Sequence, residues 1–248
     1  MSTLMWQPPS PKKEVVEEEF VSLEAGKNVE ATPFFDSDTG KILIKGGQIV
    51  NFDDITEGDV LIVDGVVTAV GDVDDIPEDV TIIDATDKYV IPGGIDSNTH
   101  LHEGVDNLEV LDDFFSGTKA ALSGGTTMVI DLVVPRREES LIDAFNAWKE
   151  DGEENSCCDF ALSVAVPHWT EKSKSEMEEL SKGMGVNSFK MFMSYKDTLM
   201  MGNSQLLESF HHVKDLGCVA KVHAENGDII AENQKRLLAR GVRGKANY

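Results

Sequence analysis

Residues 111–135 read LDDFFSGTKAALSGGTTMVIDLVVP, and this stretch decides the fold. In its first half, one face of a predicted helix collects Leu111, Phe114, Phe115, Thr118 and Leu122. The paired glycines at 124–125 end that helix, since glycine is typical of helix C-termini. The second half is an almost continuous apolar run, as in a strand that is covered on both faces of a parallel sheet. The stretch therefore predicts a helix followed by a parallel strand.

The same alternation runs from residue 93 to residue 241. Strand patterns occupy 93–102, 126–135, 158–167, 187–196 and 218–226, and each is followed by an amphipathic helix pattern. Such alternation predicts a parallel sheet, either an open doubly wound sheet or a (β/α)8 barrel. No G-x-G-x-x-G or Walker sequence is present, and the candidate chemical residues follow several different strands, which favours the barrel. A complete barrel has eight units in about 250 residues. We therefore predict an α/β fold that is the N-terminal part of a TIM barrel, with about five of its eight units.

Two further segments precede this partial TIM barrel, which is assigned to 93–248. Residues 41–92 contain β-branched runs separated by Gly and Asp turns, with a tight-turn signal at Asp64-Gly65. They predict a small antiparallel unit, interpreted as a β-sandwich portion. Residues 1–40 combine PPSPKKEVVEEEF with little periodicity and predict a disordered acidic tail.

Charge and cysteine content narrow the classes of function. The chain has a net charge of −23, with 3 Lys/Arg against 8 Asp/Glu in residues 1–40 and 3 against 12 in residues 41–90. Such a surface repels nucleic acid and anionic membranes, so neither is expected as a partner. No apolar run is long enough to span a bilayer, and the N-terminus lacks a signal-peptide pattern. Three cysteines make a poor disulfide framework, so a cytoplasmic location is expected.

The first strand of the barrel carries three candidate metal-site residues. Asn98, His100 and His102 alternate along GGIDSNTHLH, so they point the same way if the extended backbone continues. Histidines at i and i+2 can grip one zinc ion, whereas an asparagine is a weak zinc ligand. Two registers are open. Either Asn98 and His100 form the pair, as the lead-in GGID favours, or His100 and His102 form it.

Three later residues complete the candidate set. Lys190 stands among apolar residues in SFKMFMSYK, where it is either a desolvated, reactive amine or a lysine whose amine reaches solvent or an acidic partner. His223 ends the fifth strand and is a ligand candidate, and Tyr195 is a candidate oxyanion donor. His211 and His212 lie in a helix pattern on the outside, and His168 follows the third strand.

The motifs PGGIDSNTH, DDFFSGTKAALSGGTTMVID, SCCDF, SFKMFMSYKD and VHAENGD follow one another in collinear order, and the resemblance that they carry covers roughly residues 41–244. They resemble the dihydropyrimidinase family of cyclic amidohydrolases, and particularly its non-enzymatic branch, the collapsin response mediator proteins. In the enzymes, the resemblance implies a two-zinc site on an amidohydrolase-type barrel. Its ligands would map onto His100, a carbamylated Lys190 and His223, with Tyr195 as oxyanion donor. Asn98 departs from the pattern, because the enzymes have histidine there.

This departure predicts that the site residues are vestigial and that no zinc is held, because losing an imidazole weakens a zinc site strongly. The resemblance then implies a cytoplasmic protein that forms homo- or hetero-tetramers, binds tubulin and acts in axon guidance and outgrowth. The alternative is a zinc-dependent dihydropyrimidinase that hydrolyses the C–N bond of cyclic amides.

Overall fold

The computed structural model of the chain describes residues 40–102, 111–136 and 138–243. These residues divide into two compact units. The first contains the described chain up to Ile49 together with Asp54–Val90, and the second contains Val50–Asp53 and the described chain from Ile91 onward. All of the predicted acidic tail except Gly40 lies outside the described residues, so the prediction of disorder there is not tested.

The first unit is a five-stranded sheet. Its strands are β1 (Lys41–Val50), β2 (Ile55–Val63), β3 (Val66–Gly71), β4 (Thr81–Asp84) and β5 (Tyr89–Val90). The order is β3-β2-β1-β4, and β5 also pairs with β1. Strands β2 and β3 form the predicted hairpin, and its turn residues Asp64 and Gly65 both have positive φ, at 49° and 77°.

The expectation of a purely antiparallel unit is wrong, because β1 pairs with both β4 and β5 in parallel. The physical reason lies in the connection between the partners. The β2–β3 hairpin and the long segment 72–80 separate β1 from β4, so the chain returns and runs beside β1 in the same direction. The described strands of this first unit make one sheet, and its assignment to a β-sandwich stays a prediction.

The second unit alternates strands and helices as predicted. Its elements are β6 (Gly94–Thr99), α1 (Phe114–Ser123), β7 (Thr126–Val133), α2 (Leu141–Asn155), β8 (Asp159–Ala165), α3 (Glu171–Met184), β9 (Ser188–Phe192), α4 (Asn203–Asp215), β10 (Val219–His223) and α5 (Gly227–Ala239). The sheet order is β10-β9-β8-β7-β6, and every neighbouring pair is parallel.

The helices begin at polar residues that satisfy their free backbone N–H groups. The Asp113 carboxylate accepts from the backbone N–H of Ser116, and the Ser116 hydroxyl accepts from the backbone N–H of Asp113. Thr170 and Ser173 form the same capping box. At the other end of α3, Gly185 has a φ of +78°, the left-handed conformation that glycine adopts without strain. Local sequence therefore sets where these helices start and stop.

Alternate residues of the strands face two different environments. We call the side packed against the helices the helix-facing side. Its buried apolar residues include Phe114, Val129, Val164, Met177 and Phe189, all at most 1% exposed. We call the opposite side the concave face. Its smaller apolar cluster consists of Leu132, Ala165 and Phe192.

Contacts between distant strands show that the sheet is curled. The Lys221 amine on β10 donates to the backbone oxygen of Ser97 on β6 at 2.9 Å, although three strands lie between them. In a flat sheet those two strands would be about 19 Å apart, beyond the reach of one lysine side chain. The five parallel strands therefore form an arc, which confirms the prediction of a partial barrel.

The two outer strands of the arc carry exposed apolar residues. Ile95 on β6 is 63% exposed, and Val219 on β10 is 60% exposed. Residues in such edge positions are open to further pairing. In the described part of the chain, no helix has the length and apolar character needed to cross a membrane.

Candidate functional site

Asn98 and Lys190 meet on the concave face. The Lys190 amine, on β9, donates to the side-chain oxygen of Asn98, on β6, at 2.7 Å. Lys190 is only 8% exposed, and its Nζ lies 5.5 Å from the centre of the Phe192 ring. Of the two alternatives for this lysine, a desolvated amine is the one that matches this burial, and the partner of Lys190 is an amide rather than an acid.

A second lysine lies beside Lys190. Lys221 is the partner of Lys190 in the register of β9 and β10, so both side chains emerge on the same face of neighbouring strands. Burial lowers the pKa of the Lys190 ammonium, and the positive charge of Lys221 lowers it further. Burial also lowers the pKa of Lys221. The two amines therefore disfavour each other's charge.

His100 is close enough to Lys190 for their charges to interact. Burial lowers the pKa of His100, as does the charge of Lys190, while the carboxylate of Asp131 acts in the opposite direction. Its Nδ1 atom is buried and has no hydrogen-bond partner. His100 is therefore favoured as a neutral imidazole with one free ring nitrogen.

Asp131, on β7, fixes the end of β6. Its Oδ1 atom accepts from the Thr99 hydroxyl at 2.7 Å and from the Leu101 backbone N–H at 2.8 Å. The residue is fully buried, and its Oδ2 atom has no hydrogen-bond partner. These two bonds hold the segment that carries His100.

His102 does not join the cluster, so the structure does not support the register that pairs it with His100. Its Nδ1 atom lies 2.5 Å from the Asp151 carboxylate on α2, and its ring lies 4.2 Å from that of Trp148. The reason is that β6 ends at Thr99, so the strict alternation assumed for residues 98, 100 and 102 stops there. Whether Asn98 and His100 act as a metal-binding pair stays a prediction.

His223 and Tyr195 lie together at the ends of β10 and β9. Their ring centres are 5.5 Å apart, and the His223 ring is 6.1 Å from that of Phe192. The Nε2 atom of His223 lies 2.6 Å from the Glu225 carboxylate. Tyr195 has a φ of +57°, a strained conformation for a residue of its size that is typical of functional sites.

The remaining described histidines are His168, His211 and His212. His211 and His168 are exposed. The Nε2 atom of His212 lies 3.3 Å from the backbone oxygen of Lys174, and its ring packs edge-on against Trp169. None of these contacts reaches the concave face.

The arrangement does not fit a resident zinc ion. Across residues 40–102, 111–136 and 138–243, no three His, Cys, Asp or Glu side chains come together in a way that could hold a metal. Where a dication would need anionic or imidazole ligands, Asn98 offers a neutral oxygen that is already bonded to the Lys190 ammonium. The assignments of His100, Lys190 and His223 as vestigial metal ligands, and of Tyr195 as an oxyanion donor, stay predictions.

Sequence reasoning missed Asp131 and Lys221. Asp131 is the one charged residue in the apolar strand TTMVIDLVV, which could have identified it as a buried polar contact. Lys221 occupies the third position of its five-residue strand, as Lys190 does in β9. That matching position was a signal that the two lysines would lie side by side.

Comparison with known proteins places this geometry in a family. No protein-family model matches the chain. The chain is 47% identical to dihydropyrimidinase of Rattus norvegicus over 212 residues, covering 84% of this chain and 41% of the relative. It is 49% identical to dihydropyrimidinase-related protein 5 of Homo sapiens, covering 82% of this chain and 36% of the relative.

A solved structure agrees with the sequence relationship. The crystal structure of dihydropyrimidinase from Brevibacillus agri matches with a TM-score of 0.77 and 36% identity, over 82% of this chain and 44% of that one. The chain thus spans about two fifths of the length of the curated relatives it matches. With its curled parallel sheet and this extent of identity, the chain belongs to the family of dihydropyrimidinases and dihydropyrimidinase-related proteins.

Proposed function

We propose that this chain is a dihydropyrimidinase-related protein whose concave-face site does not hydrolyse cyclic amides. The bond of 2.7 Å between the Lys190 amine and the Asn98 oxygen carries this proposal. It joins a neutral amide and a cation at the place where hydrolysis would require a metal-binding pair.

The chemistry of hydrolysis explains why this bond matters. In zinc hydrolases, the bound metal lowers the pKa of a water molecule to about 7 and so supplies hydroxide. An asparagine oxygen is a poorer zinc ligand than imidazole, and a protonated lysine repels a dication. A neighbouring ammonium at Lys221 adds to that repulsion. The described residues therefore supply no group that would generate hydroxide.

The proposed role is interaction rather than catalysis. Similarity to dihydropyrimidinase-related protein 5 supports this role. The resemblance to response mediator proteins indicates which partners and which process to propose. We accordingly propose a cytoplasmic protein that assembles into homo- or hetero-tetramers, binds tubulin and acts in axon guidance and outgrowth. The strongly acidic composition is compatible with such a partner and disfavours nucleic acid.

A second candidate function is a zinc-dependent dihydropyrimidinase, which the rat relative supports. Two observations favour it. Burial and the charge of Lys221 lower the pKa of Lys190, which eases the loss of its proton, and His100 keeps a buried ring nitrogen without a partner. Under this alternative, His100, a deprotonated Lys190 and His223 would hold the metal.

Zinc content and ring opening separate the two functions. A full-length form of the protein is assayed for zinc per chain and for hydrolysis of dihydrouracil, and we expect little zinc and no turnover. The 248-residue chain alone, with five barrel units, should give no turnover under either function. The variant Asn98→His restores an imidazole beside His100 and should raise the zinc content. Asn146→His is the matched control, since Asn146 is exposed on α2 and should leave zinc unchanged.

Stoichiometric zinc together with ring opening by the unsubstituted protein would overturn the proposal in favour of the enzyme. If Asn98→His and Asn146→His take up equal zinc, then position 98 is not what limits metal binding, and the argument from Asn98 is wrong.

A further inference from the structure

Lys190 and Lys221 form a pair of cations with a defined geometry. Their backbones are partners in the register of the parallel strands β9 and β10, and both side chains cross the concave face to β6. Each amine donates to an oxygen of consecutive residues, Ser97 at 2.9 Å and Asn98 at 2.7 Å. The two ammonium groups are thus held side by side by the same short segment.

In the described structure, no carboxylate compensates this pair. Both acceptors are neutral, one a peptide oxygen and the other a side-chain amide. Asp131 is the carboxylate whose charge reaches the neighbouring His100, and its Oδ1 atom is occupied by Thr99 and Leu101. Like charges on directly opposed positions of a sheet are destabilising.

Two other lysines in the described residues have acidic partners. Lys174 pairs with Glu171 at 2.6 Å, and Lys196 pairs with Asp228 at 2.6 Å. The chain contains 45 Asp and Glu residues against 22 Lys and Arg, so acidic partners are abundant. Within residues 40–102, 111–136 and 138–243, Lys190 and Lys221 combine partial burial with neutral acceptors, and such an arrangement calls for an external anion.

We infer that the concave face binds a small oxyanion, a carboxylate or a phosphate, between the Lys190 and Lys221 amines. Each ammonium has three N–H donors and uses one on β6, which leaves others for the ligand. Phe192 lies 5.5 Å from the Lys190 amine, and the His223 ring stacks near it. These rings suit a flat organic body attached to the anionic group.

This inference rests on the proposed function, because a metal held by Lys190 would occupy the same place. The test therefore measures binding in the presence of EDTA, so that residual zinc cannot carry the anion. Zinc content and dihydrouracil hydrolysis are measured on the full-length form without EDTA.

The experiment titrates the 248-residue chain with benzoate and, separately, with inorganic phosphate at low ionic strength, using calorimetry. Lys221→Gln removes one ammonium and should weaken binding of whichever anion binds by about tenfold or more, as expected for a charge-assisted hydrogen bond. Lys221→Arg keeps the charge and should bind within about threefold of the unsubstituted chain. Lys235→Gln, an exposed position on α5, is the control for the loss of one positive charge.

Binding of benzoate alone, of phosphate alone or of both supports the inference, provided that Lys221→Gln weakens it and Lys235→Gln does not. Absence of binding by the unsubstituted chain overturns it, as does equal binding by Lys221→Gln. If Lys221-dependent binding persists in EDTA while the untreated full-length form holds zinc and opens dihydrouracil, the proposed function fails and the anion site stands. If the full-length form is zinc-free and inactive and the chain binds neither anion, the anion site fails and the proposed function stands.

Discussion

The two faces of strand β9 differ in what their residues contribute. Phe189 and Met191 point to the helix-facing side and are fully buried among apolar side chains. Lys190 and Phe192 point to the concave face, where an ammonium shares its space with an amide and an aromatic ring. One face follows the rules of a stable core, whereas the other retains a buried charge that a stable core would avoid. Residues one position apart therefore have opposite expected effects on stability.

The largest effect is expected on the helix-facing side. Phe189→Ala removes a fully buried ring and should lower the free energy of unfolding by about 3–5 kcal/mol. Urea unfolding followed by circular dichroism measures the change. Phe115→Ala is the matched control, because Phe115 is 53% exposed on α1 and should cost far less. Equal losses for the two variants would mean that the helix-facing side is not the principal core.

A smaller change of opposite sign in the free energy of unfolding is expected at the neighbouring residue, Lys190. Lys190→Met replaces a desolvated ammonium by an apolar side chain of similar length, and the exposed Asn98 oxygen can bond to water instead. The free energy of unfolding should rise by about 1 kcal/mol, since a buried charge without an acidic partner is costly. The same urea experiment tests it, with Lys235→Met as the exposed control. A loss comparable with that of Phe189→Ala would remove the contrast between the two faces.

The smallest effect concerns pH. The pKa of His100 in the folded chain lies below its ordinary value of 6.5, because of burial and the charge of Lys190. Below pH 6.5 the unfolded chain therefore binds more protons at this residue, so stability falls as the pH falls toward the folded pKa. From about pH 7.5 to about pH 5, the chain should lose more stability than its His100→Gln variant does.

Unfolding midpoints at each pH measure this difference. His211→Gln, at an exposed position on α4, serves as the comparison for the loss of one histidine. A His100→Gln profile parallel to that of the unsubstituted chain would show that His100 does not titrate differently on folding.

Periodicity predicted the barrel portion because each of its elements is determined locally. The apolar run of β7, the amphipathic pattern of α1 and the glycine at 185 each indicate their structure without reference to distant residues. The parallel pairing of β1 with β4 was not predicted, because it depends on where the connection 72–80 leads.

The site was predicted less completely, for a related reason. Its candidate residues were recognisable by type and position, but their contacts depend on sheet curvature and on where β6 ends. Alternation put residues 98, 100 and 102 on one side and left two registers open, whereas the strand stops at Thr99 and His102 contacts Asp151. The bond between Lys190 and Asn98 joins residues 92 positions apart, and no local pattern encodes it.

The bond from Lys221 to Ser97 has a mechanical consequence. It links β6 and β10, the two edge strands of the arc, so its length depends on how strongly the sheet is curved. Widening the arc would break this hydrogen bond and the shorter one from Lys190 to Asn98, and would release both amines together. The curvature of the sheet and the positions of the two amines are consequently coupled. A molecule that draws the amines away from β6 would also reduce the curvature of the sheet.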